Sequence, residues 1–217
     1  MKNKIIIFIF IFSFSFSKTE NLNHSLNTFG IDLYKIISNE DISTSSMISP
    51  LSISYALMMV SQGASNDTYN EILNALDIEQ KDINNFVSPY QIEDSLLIMS
   101  NSIWIQNDNC YQPNKTYIDI LQNKFNGKIS YVNFYNDRLE IIDNINKWVE
   151  QFTFGTIKNI VSENEIKQST TQALLNTIYF KNKWTYPFDP NLTKKINFYA
   201  NGDTIEVQMM NKKNKYA

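Results

Sequence analysis

The stretch TQALLNTIYFKNKW, residues 171–184, sets a polar Asn176 among Ala173, Leu174, Leu175, Ile178, Tyr179 and Phe180. A continuous apolar run of this kind reads as a strand covered on both faces. An amide buried there needs partners, because leaving its donors or acceptor unpaired costs on the order of 1–3 kcal/mol. Asn176 is therefore expected to have a hydrogen-bonding purpose completed by another segment; the plainer alternative is a strand-end Asn near solvent.

Upstream, MISPLSISYALMMVSQGASNDTYNEIL, residues 47–73, carries Ser49 as N-cap, Pro50 at the first helical position and Gly63 just past the end. The interior, Leu51 to Val60, is apolar nearly all round, which marks a buried helix. A second helix follows, with Thr68 and Glu71 as a capping box and Ile72, Leu73 and Leu76 as its stripe. Near the start, Leu22, Leu26, Phe29, Leu33 and Ile36 recur at helical spacing, with residues 38–41 closing the segment.

The residues between Leu96 and Gln106 read as a strand, those from Thr116 to Phe125 as a helix opened by Pro113, and those from Ile129 to Phe134 as another strand. Leu139, Ile142, Ile145, Val149 and Phe152 line one face of a helix over residues 138–152, with Gly155 as the stop. Residues 196–199 and 204–210 form a hairpin around Asn201-Gly202. Helices and strands mix without regular alternation and without repeats, so the class is α+β.

Several of these segments, in order, resemble the serpin family. The resemblance is carried by Ser49-Pro50-Leu51-Ser52-Ile53, by Gly63-Ala64 before Thr68 and Glu71-Ile72-Leu73, and by Ile145-Asn146-Lys147-Trp148-Val149 with Thr153, Gly155 and Ile157. It continues through Asn176-Thr177-Ile178-Tyr179-Phe180-Lys181, Lys183-Trp184, Pro187-Phe188-Asp189, Thr193, Phe198, Val207 and Met209-Met210. It implies helices packed on a large central sheet plus small sheets, with the strands at 96–106, 129–134 and 171–181 in the large sheet. It also implies a secreted serine-protease inhibitor that traps its target when a cut reactive loop inserts into that sheet. By motif position Ser49, Ser52 and Asn176 belong to a polar cluster beneath the opening of the sheet, and Trp184 lies where the loop first enters.

In the family the reactive loop lies close to the C-terminus, after the position matched by Met209-Met210. The resemblance thus implies a domain incomplete at its C-terminal side, over residues 18–217, with no reactive site in this chain. The other reading is a non-inhibitory secreted binding protein or a truncated serpin remnant. The stretch between Leu76 and Asn101 is short and poor in basic residues, so polyanion binding is not expected. Asn182 stands where the family usually has glycine.

Composition narrows the field further. The chain has 217 residues, 43% of them hydrophobic, and a formal charge of −3, which gives it a core and no disordered signature. Arg138 is the sole arginine, so the guanidinium supply of a nucleic-acid binder is missing. Lys2 and Lys4 before an apolar run, then Ser15-Phe16-Ser17, read as a secretory signal over residues 1–17. That run falls short of the roughly 20 residues that span a bilayer, so no membrane association is expected. Sequons at Asn23, Asn66, Asn114 and Asn191 fit an exported glycoprotein. Cys110 is the single cysteine, so no internal disulfide forms; it reads as a loop thiol, or less simply as a crosslink between chains. His24 is the single histidine, and with no partners it builds neither a zinc site nor a general base; no cofactor, metal or catalytic activity is expected.

Overall fold

The computed structural model describes residues 22–39, 47–88, 97–108, 112–200 and 202–212. The proposed leader, Cys110, Asn201 and the chain end after residue 212 lie outside these. Helix α1 covers residues 22–39, with Leu22, Leu26 and Phe29 packed on the core while Ile36 points to solvent. Helices α2 (Pro50–Ser61), α3 (Asn66–Leu76) and the short α4 (Gln80–Asn84) follow, then strand β1 (Leu97–Gln106). Helix α5 (Lys115–Phe125), strand β2 (Gly127–Val132) and helix α6 (Arg138–Phe152) lead to strand β3 (Gln172–Phe180). A 3-10 turn at Pro190–Leu192 precedes a hairpin of β4 (Lys194–Ala200) and β5 (Asp203–Met209).

The main sheet runs β2-β1-β3, with β1 parallel to β2 and antiparallel to β3. Strand β1 is central, and every residue from Asn101 to Gln106 is buried. Its side chains alternate between two cores, as a pleated strand requires. Met99, Ile103 and Ile105 join Tyr55, Met58, Leu121 and Phe125 of the helices on one face. Trp104 joins Phe134, Ile141, Ile145 and Trp148 on the other, under α6. Aromatic contacts join the first core, with Tyr55 edge-on to Phe86 at 5.4 Å and Phe125 tilted against Phe86 at 5.2 Å.

Several local expectations shift. Strand β3 pairs only with β1 among the described residues, and all but Thr177 of its side chains retain some exposure, so it is not the doubly covered strand its apolar run predicts. Helix α2 buries Tyr55, Met58 and Met59 but leaves Ile53 and Val60 exposed, so its apolar surface is not wholly covered. Helix α3 starts at Asn66 rather than at a Thr68 cap, and Thr68 lies in its first turn; the reciprocal cap occurs instead at α4, where Glu79 N–H donates to Asp82. Helix α5 is capped by Asn114 and not opened by Pro113, because the Asn114 Oδ1 accepts the Thr116 amide at 2.8 Å.

Helix α6 turns Ile141, Ile145, Trp148 and Val149 inward and leaves Leu139 63% exposed. The stripe is rotated from the predicted one, with Ile141 and Trp148 buried and Ile142 and Phe152 only partly so. Strand β2 begins at Gly127, two residues before the predicted start, because α5 and β1 close on that point. A Cβ at Gly127 would stand 2.6 Å from Ile103 Cδ1 and 3.1 Å from the Leu121 carbonyl oxygen.

Candidate functional site

The purpose of Asn176 is visible in the register of the sheet. Asn101 of β1 sits directly opposite Asn176 of β3. The Asn176 Nδ2 donates to Asn101 Oδ1 at 2.7 Å, and the Asn101 Nδ2 donates to the carbonyl oxygen of Phe125 at 2.7 Å. Phe125 is the last residue of α5, where helix carbonyls lack intrahelical donors. Two amides thus form a relay from the outer strand through the central strand to a helix end.

Asn101 is only 4% exposed and its bond to Phe125 is buried, so a missing partner there would be expensive; the bond from Asn176 is partly buried. The relay contains no titratable group, no nucleophile and no base. It positions β3 against β1 and α5, and it has one open valence: Asn176 Oδ1 is buried without a hydrogen-bond partner. Ser54 Oγ and Thr177 Oγ1, on α2 and β3, are likewise buried and unpartnered among the described residues.

Ser49 and Ser52 pair with each other. The Ser49 Oγ donates to Ser52 Oγ at 3.1 Å and accepts the Ser52 amide at 3.4 Å, making the α2 cap. Helix α2 packs on β3, yet neither serine hydrogen-bonds Asn176; Ser49 pairs with Ser52, and Asn176 pairs with Asn101 instead of with either serine. Asn101 was not singled out. The signal for it was the same as for Asn176: an amide between Met99 and Ile103 in a run otherwise fit for the core.

Trp184 lies past the end of β3 and is 68% exposed, with its ring edge-on to Phe188 at 5.7 Å. The Lys212 ammonium sits 5.2 Å from the Tyr186 ring centre and donates to the Tyr186 carbonyl oxygen, tying the segment after the hairpin to this aromatic group. Asn23, Asn66, Asn114 and Asn191 are all exposed. No group of three metal-ligating side chains occurs among the described residues, and no helix there is long and apolar enough to cross a membrane.

Comparison with known proteins adds a consistent set of likenesses. A family model described as serpin (serine protease inhibitor) matches residues 24–217. A serpin-like protein of Methanosarcina acetivorans is 32% identical over 198 residues, spanning 85% of this chain and 44% of that protein. Alpha-1-antitrypsin of Meriones unguiculatus is 30% identical over 198 residues, spanning 87% of this chain and 48% of its own length. Among solved structures, a cleaved Serpin 42Da superposes with a TM-score of 0.80 at 26% identity, covering 89% of this chain and 53% of that one. Thyroxine-binding globulin complexed with a thyroxine derivative gives 0.74 at 25% identity, covering 89% and 59%. The chain spans about half the length of the curated relatives it matches.

Proposed function

The chain belongs to the serpin family, and from that premise we propose that it serves in a secreted inhibitor of serine proteases that works by reactive-loop insertion. The observation that supports this best is the outer edge of β3. Among the described residues that edge carries no strand, while the adjoining Asn176 Oδ1 is buried and unpartnered. An open edge is a template for strand addition, with main-chain hydrogen bonds supplying the affinity. In this reading Ser49, Ser52 and Asn176 lie beneath the opening of the sheet, and the exposed Trp184 marks the end of β3 where an entering loop would first meet it.

Export is part of the proposal. It rests on the basic and apolar leader over residues 1–17 and on the exposure of all four sequon asparagines. The partner would be a serine protease; nucleic acid, membrane and polyanion are not partners in this account, and no cofactor is involved. The proposal assigns the chain no enzymatic role.

A second reading is a secreted, non-inhibitory binding protein, and the likeness to thyroxine-binding globulin favours it. The two are separated by incubating the protein isolated from its natural source with trypsin-like and chymotrypsin-like proteases and resolving the mixture under denaturing conditions. A covalent adduct of protease and inhibitor is the expected result. Ordinary digestion by every protease, with no adduct, would favour the binding protein.

A further inference from the structure

A groove of about 600 Å³ separates the C-terminal end of α2 from the first turn of α5, above the start of β3. Its walls are largely apolar, with Val60, Ala64, Tyr117, Ile120 and Leu174. Two polar residues on its lining, Asn114 and Thr116, are exposed, and they are the first and third positions of a sequon.

The geometry of that sequon is specific. The Asn114 Oδ1 is committed to the α5 cap through the Thr116 amide at 2.8 Å. The amide nitrogen of the same side chain, Nδ2, has no partner among the described residues, and neither has the Thr116 hydroxyl. The helix thus holds the oxygen and leaves the nitrogen outward. Asn191 differs, because its Nδ2 already donates to Asp189 Oδ1 at 3.0 Å.

We propose that Asn114 carries an N-linked glycan, that the linkage leaves the α5 cap intact, and that the first sugars stand over the α2–α5 groove and close it to macromolecules. The transfer is a substitution at the anomeric carbon of a lipid-pyrophosphate-linked oligosaccharide. The Nδ2–carbon bond forms, the carbon–oxygen bond to the pyrophosphate breaks, and Nδ2 gives up one of its two protons to a base of the transferase. The remaining N–H and the Oδ1 acceptor are both preserved, so the cap survives modification. Without the glycan the groove is an uncovered apolar surface of the kind that attracts partners.

This rests on the export reading, and the test keeps the two apart. The full chain with its own leader is expressed in insect secretory cells, and glycopeptides are mapped by mass spectrometry before and after enzymatic release, which converts each occupied Asn to Asp. Occupancy at Asn114 is expected. If the other sequons are occupied and Asn114 is not, the proposal fails; if none is occupied, the export reading fails with it.

The variants N114D and T116A both abolish the sequon while keeping the cap acceptor, so they should lose that glycan and, after the same enzymatic release of the remaining glycans, keep the thermal midpoint of the treated parent. N114A should lose both. Groove closure is read with A64C in a C110S background. Labelling by a polymer-linked maleimide should be several-fold slower on the glycoprotein than after deglycosylation, and equal rates would overturn the closure.

Discussion

Asn101 uses both ends of its side-chain amide, and that makes it the most consequential polar residue in the sheet. Replacing it with Ala would strand the Phe125 carbonyl and the Asn176 Nδ2 together. The Phe125 bond is buried and the Asn176 bond partly so. A group left buried and unpaired costs about 1–3 kcal/mol, so N101A should lower the free energy of unfolding by at least about that much in urea titrations. N101D tests the polarity of the relay, since a carboxylate would face the Phe125 carbonyl oxygen. Its folded-state pKa would be raised above the ordinary carboxylate value, so the variant keeps its stability in acid and loses it as pH rises through that pKa. A pH-independent loss would show that the Phe125 contact is unimportant. Asn176 was legible in the sequence because it interrupts an apolar run; its partner was not, because cross-strand register depends on how distant segments pair, and no local pattern states that β1 and β3 meet at Asn101.

At the scale of elements, type and order were readable throughout, since hydrophobic periodicity fixes them, whereas faces and ends depended on neighbours. The α6 stripe turned toward Trp148 and away from Leu139, and β2 began early where Gly127 admits the close approach of Ile103. G127A should therefore overpack the junction of α5, β1 and β2 and cost about 1–3 kcal/mol by chemical denaturation. The exit of α6 is unusual in another way. Phe154 has φ +51°, a left-handed conformation that costs an L-residue roughly 1–2 kcal/mol, and its ring lies 4.7 Å from that of Tyr179 on β3. Such a ring contact contributes about 0.5–1.5 kcal/mol, enough to offset much of the strain. F154G should then remain close to the parent in stability, because it loses the contact and the strain together, while F154A keeps the strain and should be clearly less stable. Equal destabilisation of the two variants would mean the backbone there is unstrained.

Several large apolar side chains stand in solvent among the described residues. Ile196, Phe198 and Ile205 share one face of the β4–β5 hairpin and are each more than 40% exposed, as the register of Ile196 with Val207 and Phe198 with Ile205 dictates. With the outer edge of β3 also unpaired among the described residues, the 217-residue chain expressed alone should self-associate. Sedimentation velocity should show oligomers at micromolar concentration, and a sharp, reversible, monomeric thermal transition would contradict this. In the proposed function β3 borders the place where the sheet accepts another strand. The direct measurement is amide hydrogen exchange on the naturally produced protein before and after limited cleavage by a serine protease. A gain of protection along residues 172–180 with no change in β2 is expected; unchanged exchange along β3 after cleavage would overturn strand addition at that edge.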